Sequence, residues 1–451
     1  MNVIRRLIPD TPRGAFWLAF VLCFLGCFFI LFIISPLTGL SKHFGRAHDG
    51  YIQIAENLGK GNGFVFEKDG PPVFHRPPLY PYILVPIMYL PDFLQRPGLV
   101  VLQSLMVGCI GALIFKASKS LFDLATARIA IVVFLLNPWV YWNAKNPMTG
   151  ILQALLYILF INVIGTEFPA IVKRLSENTR KMKLWAKPLV IGTIAAALAL
   201  THGTMLAVGF ILLFMLFLAS IVWCNHQLVL TSIASTVLMV ALVAPWTYRN
   251  WVVFNRFIPV VGGSGLGYFN GIIHWNNTIP DPQREGETHI DACFRVAGIE
   301  GTEETHTHWK GMKDIEIEDE INKKAIEHLQ EHPTAFVKKI MLNSIEYYFP
   351  AFTYSYLAVK RLNVEHVALT GFHLVLWILV VVGIWRDKKG GIRLQPAWLL
   401  LAAICFYTVW YIPFSTFIGH SLYALGTMPL LSILVARGVK FFEEIGSEES
   451  Y

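Results

Sequence analysis

The chain has 451 residues, of which 55% are hydrophobic, 14% aromatic and only 15% charged, and its mean hydropathy is +0.53. A soluble chain carries about 25% charged residues to dress its surface, so an ordinary cytosolic enzyme, a disordered protein and a disulfide-stapled secreted module are excluded, and most of the molecule must face lipid. The net charge of +7 does not require nucleic acid, because Lys and Arg also gather in the cytoplasmic loops of membrane proteins.

In chain order, the first apolar run is Gly14 to Ser35, long enough to cross a hydrocarbon core of about 30 Å. Arg5, Arg6 and Arg13 precede it and no small-x-small cleavage site follows. It reads as a retained signal anchor with its N-terminus in the cytoplasm. Further spans are expected near Leu99–Ala117, Ala127–Trp142, Ile151–Gly165, Leu189–Leu200, Met205–Trp223, Leu228–Trp246, Ala368–Trp385, Ala397–Tyr411 and Ser421–Val435, about ten in all. That number places Lys116, Lys119, the stretch Lys173–Lys187, Arg386–Lys389, Arg437 and Lys440 on the cytoplasmic side, as the positive-inside rule demands. Both termini are then cytoplasmic, and two long outer loops, residues 36–98 and 248–366, face the other way. The apolar piece Leu79–Leu90, interrupted by Pro81 and Pro86, is too short to span and is laid at the outer interface.

The expected fold is thus an all-α polytopic membrane protein: one transmembrane domain over residues 1–442, amphipathic interfacial helices in its outer loops, and a cytoplasmic tail over 443–451. Cys23, Cys27, Cys109, Cys224 and Cys405 fall in or near spans and Cys293 alone lies clearly outside, so no disulfide framework is expected.

The first outer loop is the most informative stretch. Tyr51, Ile54, Ala55 and Leu58 recur at helical spacing, with Gln53, Glu56, Asn57 and Lys60 on the other side, which predicts a short amphipathic helix suited to the membrane interface. Asp49 stands at its start, and Gly59, Gly61 and Gly63 end it. Two readings of Asp49 stand: a helix cap contributing about 1 kcal/mol, or a carboxylate with a chemical task. Arg76 precedes Pro77 and Pro78 at the mouth of the Leu79–Leu90 helix, whose first N–H groups favour anions. It is either an interfacial arginine reaching for headgroups or a ligand for a lipid phosphate.

The pattern D-x-Y-x-x-x-A-x-x-L-x-x-G-x-G from Asp49, followed by R-P-P-L-Y-P from Arg76, resembles the first outer loop of the GT-C glycosyltransferases, multispanning enzymes that use polyprenyl-phosphate sugars. The similarity is to the group of protein O-mannosyltransferases and lipid A aminoarabinose transferases. The segment APWTYRNWVVFNRFIPV, Ala244 to Val260, and the outer helix EINKKAIEHLQEHPTAFVKK, Glu320 to Lys339, resemble further parts of that group. The resemblance implies a GT-C-like fold and an inverting transfer of sugar from a polyprenyl-phosphate donor to a lipid, glycan or protein acceptor at the outer face of a bacterial inner membrane. It assigns Asp49 as general base or acceptor-orienting carboxylate, Arg76 as the ligand of the carrier phosphate and Arg249 as a second phosphate ligand. His75 stands where some relatives carry an acid; with His48 and Tyr80 it completes the set of supporting candidates. The chemistry is coherent: cations neutralise the leaving phosphate while a carboxylate takes the acceptor's hydroxyl proton. Asp49 lacks an acidic neighbour, so neither a metal nor a cofactor is expected.

The chain departs from that group in the stretch NPMTG, with Gly150 at an acidic position, in Thr201-His202-Gly203 where Thr-Arg-Pro is common, and in Ser421–Tyr423, which lacks an arginine. These departures bear on sugar and acceptor. Gly263-x-Gly265-x-Gly267 lacks the βαβ surroundings of a dinucleotide loop and reads as a flexible outer loop. His289, Asp291, Cys293, His306 and His308 could assemble a zinc site on the second outer loop, against which irregular spacing and a lone cysteine weigh. Two alternatives stay open, a secondary transporter or flippase of lipid-linked sugars and a non-catalytic relative that binds the carrier. Against the former, the spans are nearly free of acids and no internal repeat is visible.

Overall fold

The computed structural model describes residues 12–37, 50–145, 147–174, 186–222, 224–274, 289–299, 312–348, 364–389, 397, 400–405, 407–408 and 425–448. Those residues form a helical membrane protein. Four of the described helices are long and apolar enough to cross a membrane: Arg13–Ile34, Asp92–Leu121, Gly203–Val222 and His226–Phe254. Shorter apolar helices, among them Leu124–Leu136 and Ala186–Thr201, pack beside them. Most of the expected span Ala397–Tyr411 lies outside the described residues.

Helix α1, Pro12–Phe29, runs into a π-helical stretch, Ile30–Ile34, and one last turn, Ser35–Leu37. Short helices α2, Tyr51–Gly59, and α3, Leu79–Met88, follow. Next come α4, Asp92–Leu121, and α5, Leu124–Leu136. After them stand α6, Pro138–Ala144, α7, Gly150–Arg174, α8, Ala186–Thr201, α9, Gly203–Val222, and α10, His226–Phe254. The second long connecting segment holds α11, Ser264–His274, α12, His289–Ala297, α13, Met312–Glu331, and α14, Pro333–Tyr348. Helices α15, Val364–Lys389, and α16, Met428–Glu448, complete the set.

Without a hydrophobic drive between helices in lipid, small residues set the approach. Ala15, Ala19, Cys23 and Cys27 form a buried stripe on α1, facing Gly108 and Gly111 of α4; a Cβ on Gly111 would collide with the Cys23 sulfur. Helices α15 and α16 meet in the same way, with Gly438 against the Leu379 carbonyl. The outward faces are apolar, as Phe214, Val222, Leu230 and Val237 show. At the end of α4, Asp123 caps α5 by accepting from Thr126 N–H at 2.8 Å and also binds Arg437 and Lys440 of α16.

Several elements differ from the sequence expectation. Helix α10 does not stop at Trp246 but runs to Phe254, where Asn255 in the left-handed region ends it. Arg249 therefore rides a helix rather than a loop. The outer helix expected over 320–339 is two helices, because Pro333, which cannot donate an amide hydrogen, breaks it after His332. The Gly263-to-Gly267 stretch is not a flexible loop. It enters α11, and Gly265 sits so close to Ile321 and Asn322 of α13 that a Cβ would not fit. That contact closes a second, smaller core around Phe269, Ile273, Cys293, Phe294 and Ile321, which packs Cys293 away among apolar side chains. His306 and His308 lie outside the described residues.

Candidate functional site

Helix α2 buries Tyr51, Ile54 and Ala55, as the spacing predicts, but it also buries Asn57. The amide of Asn57 is the reason. Its Nδ2 donates to the carbonyls of Gln53 at 3.1 Å, Val65 at 3.3 Å and Phe66 at 2.8 Å, while its Oδ1 accepts from Asn62 Nδ2 at 2.8 Å. Each such bond contributes about 1 kcal/mol net, and a buried amide without them would be costly. Residues 64–73 fold back as a short hairpin, with Val73 N–H donating to Phe64 C=O at 3.0 Å. The cap position of α2 is Gly50, at φ 75° and with no side-chain cap; a Cβ there would strike the Phe66 ring. Asp49 and His48 lie outside the described residues.

The hairpin delivers His75 and Arg76 to the start of α3. The Arg76 guanidinium lies 5.9 Å over the Tyr51 ring and donates to the His75 carbonyl at 3.3 Å. Tyr51 meets Tyr80 edge-on at 5.5 Å, and buried Tyr80 accepts a 2.7 Å hydrogen bond from Gln103 Nε2 of α4. Tyr80 is thus a brace that locks Tyr51, and through it Arg76, to a long helix. Prolines at 77 and 78 precede α3 rather than opening it, and the first amides of that helix have no intrahelical acceptor.

Two imidazoles feel the Arg76 charge. Burial, then the Arg76 charge, pushes His75 down to about 3 and His202 down to about 4. Both are therefore neutral at pH 7. His202, at the break between α8 and α9, also shares a 2.9 Å hydrogen bond with Thr204 Oγ1. The sequence singles out His202 only as a departure from Thr-Arg-Pro; in the structure its imidazole lies within the field of Arg76.

Arg249 approaches the same segment from α10. Its Nη1 donates to the Val73 carbonyl at 3.1 Å and to Asn250 Oδ1 at 2.9 Å. The rings of Trp246, Phe254 and Phe64 hold the guanidinium at 4.9, 5.0 and 5.6 Å. Val73 is three residues from Arg76, so Arg249 braces the backbone that carries it. The chain after α10 is strapped to the same place: Trp246 Nε1 donates to Val260 C=O at 2.8 Å, and Gly262 N–H to Phe74 C=O at 3.0 Å.

Glu318 is the residue that sequence reasoning missed. It is buried on α13, accepting from Gly263 N–H at 2.8 Å and Asn322 Nδ2 at 2.9 Å. Burial raises its pKa against those bonds. The signal was legible: Glu318 falls on the helical stripe of buried Ile315, Ile321 and Ala325, a core position for which a carboxylate is anomalous. It fastens the second connecting segment to the strap beside His75, whose Cβ lies 3.7 Å from the place a Gly263 Cβ would occupy.

Beside the bundle of apolar helices, α10 and the chain that follows it are thus fastened to the stretch Val73–Phe74 that leads into Arg76. No family model and no curated protein matches the chain, but solved structures do. The apo crystal structure of the oligosaccharyltransferase from Archaeoglobus fulgidus aligns over 96% of this chain and 51% of that one, at 12% identity and a TM-score of 0.53. The oligosaccharyltransferase AglB of the same organism, in complex with an inhibitory peptide and a dolichol-phosphate, aligns over 98% and 52%, at 11% identity and a TM-score of 0.54. ArnT from Cupriavidus metallidurans, in the apo state, aligns over 90% and 76%, at 14% identity and a TM-score of 0.36. The chain spans about half the length of the archaeal structures it matches. At these identities the likeness is one of fold.

Proposed function

We propose that the protein is a membrane glycosyltransferase that moves a sugar, with inversion, from a polyprenyl-phosphate carrier to an acceptor at the outer membrane face. The observation that carries this reading is the Arg76 cradle: a guanidinium held by a tyrosine face, flanked by two neutral imidazoles and set at the opening of α3. Such a site suits a phosphate monoester, since a planar fork and helix amides both bind anionic oxygens. The fold shared with an archaeal enzyme bound to dolichol-phosphate supports it.

In this reading the bond between the anomeric carbon and the carrier phosphate breaks, and its electron pair leaves with the phosphate that Arg76 holds. The acceptor oxygen attacks from the opposite face and its proton passes to Asp49. His75 and His202, being neutral, offer N–H groups to the phosphate without drawing charge from Arg76. Arg249 adds positive potential nearby and keeps the Val73–Arg76 backbone in place.

The test separates binding from turnover. Arg76→Ala should weaken binding of the polyprenyl-phosphate donor by about 10- to 100-fold, since a hydrogen bond to a charged group contributes about 1.5–3 kcal/mol. Arg76→Lys should restore part of it. Asp49→Asn should leave donor binding intact and cut single-turnover rates by about 10²–10⁴-fold. Donor affinity unchanged in Arg76→Ala would remove the phosphate assignment; normal turnover in Asp49→Asn would reduce that residue to a structural role.

A further inference from the structure

The second connecting segment carries a pair of histidines that the transfer reaction does not use. His328 and His332 close α13 in the order His-Leu-Gln-Glu-His, two imidazoles one helical turn apart on one face, the spacing that lets a helix grip an ion. The register holds through the second of them, because His332 N–H donates to His328 C=O at 2.8 Å. Their ring centres are 4.8 Å apart with planes inclined by 52°. Two imidazoles bound through nitrogen to one ion, at about 2.0–2.1 Å and an angle of about 90–110°, place their ring centres about 4.5–5.2 Å apart. The pair already has that separation.

One ring is also oriented from behind. His328 Nδ1 shares a 3.0 Å hydrogen bond with Tyr268 Oη, and the Phe269 ring stands against it at 5.6 Å, inclined by 73°. A metal-ligating histidine characteristically engages its other ring nitrogen in this way, which fixes the tautomer and the aim of the ring. With Nδ1 taken by Tyr268, Nε2 is the atom of His328 available to an ion. His332 is exposed, and Glu331 between them adds negative charge felt at His328. Among the described residues no three His, Cys, Asp or Glu side chains converge on one point, so these residues supply two ligands to such a site.

We propose that His328 and His332 bind a divalent ion of the copper, nickel or zinc class, with the remaining coordination positions open to water or to an oxygen ligand from outside the chain. The experiment uses the full chain in detergent, purified without a histidine tag and titrated with Cu²⁺. The expected result is one tight ion per chain, with an electron paramagnetic resonance spectrum showing two equatorial imidazole nitrogens. His332→Ala, at an exposed position, should leave metal-free thermal stability unchanged, lower the affinity at least tenfold and leave one imidazole nitrogen. Tyr268→Phe should weaken binding less while keeping both nitrogens. A His332→Ala protein with wild-type affinity and spectrum, or a wild-type protein without a one-to-one site, overturns the proposal. Neither outcome depends on sugar transfer.

Discussion

Two basic clusters at opposite ends of α4, a helix of 30 residues and so about 45 Å long, are built on different rules. At the far end, Arg437 is buried and donates to Asp123 Oδ2 at 3.1 Å, Lys440 reaches the same oxygen at 2.9 Å, and the Phe122 ring lies 4.9 Å from the guanidinium. A carboxylate there offsets one of the two positive charges it binds. At the near end, Arg249 is fixed by a carbonyl, an amide and three aromatic rings, and among the described residues none of its partners is a carboxylate. Ring faces and carbonyls position a cation without cancelling its charge. The first arrangement closes a helix pair; the second sustains a positive field over the segment that holds Arg76.

Acid should separate the two ends most strongly. His75 and His202 have folded values of about 3 and about 4 against an ordinary 6.5. The unfolded chain therefore takes up their protons first. Their contribution is complete above about pH 6.5 and is lost as pH falls toward those folded values, at up to about 1.4 kcal/mol per pH unit for each imidazole. Between pH 6.5 and 5 the sum reaches about 3 kcal/mol. Asp123 is held below its ordinary 3.8: burial opposes its charge, but the bonds from Thr126 and Lys440 prevail. Its contribution is present above that ordinary value and is lost only as pH drops below it. Thermal unfolding in detergent should therefore fall steeply over the higher window, and His75→Gln with His202→Gln should flatten that fall. Asp123→Asn should not. A slope unchanged by the histidine substitutions would break the comparison.

Removing the carboxylate tests the other rule. Asp123→Ala leaves buried Arg437 without its counter-ion, a loss of about 3 kcal/mol, tempered because Asp123 is itself 37% exposed. Melting temperature should drop while donor affinity stays constant. The smallest effect belongs to Arg249→Lys, which keeps the charge but loses the flat fork and the stacking on three rings. A stability loss of about 1 kcal/mol is expected, with donor affinity weakened less than in Arg76→Ala. A donor-affinity loss as large as that of Arg76→Ala would mean that Arg249 touches the phosphate itself.

Much of this arrangement was legible in the residues. Composition and apolar runs announce a helical membrane protein, and the Tyr51, Ile54, Ala55 spacing announces α2, because period and burial there follow local rules. Arg76 stands out through its prolines. What periodicity cannot convey is a polar side chain buried for its hydrogen bonds: Asn57 sits on the nominally polar side of α2, and Glu318 on the apolar side of α13. The sequence places the end of α10 too early because hydropathy falls at Trp246 while backbone bonding continues to Phe254. The box of rings around Arg249 joins Phe64 to residues on α10, a long-range pairing that no local pattern encodes.

The π-helical stretch Ile30–Ile34 bears on the direction in which the chain leaves this helix at Leu37. A π turn accommodates one residue more than an α turn, and one residue is worth about 100° of rotation about the axis and about 1.5 Å of advance. The length of the first apolar run therefore encodes two quantities, the thickness it crosses and the bearing on which the chain departs. An insertion or deletion within Ile30–Ile34 would leave the hydrophobic match almost untouched yet swing the departing chain through more than a quarter-turn. π turns are frequent at functional sites.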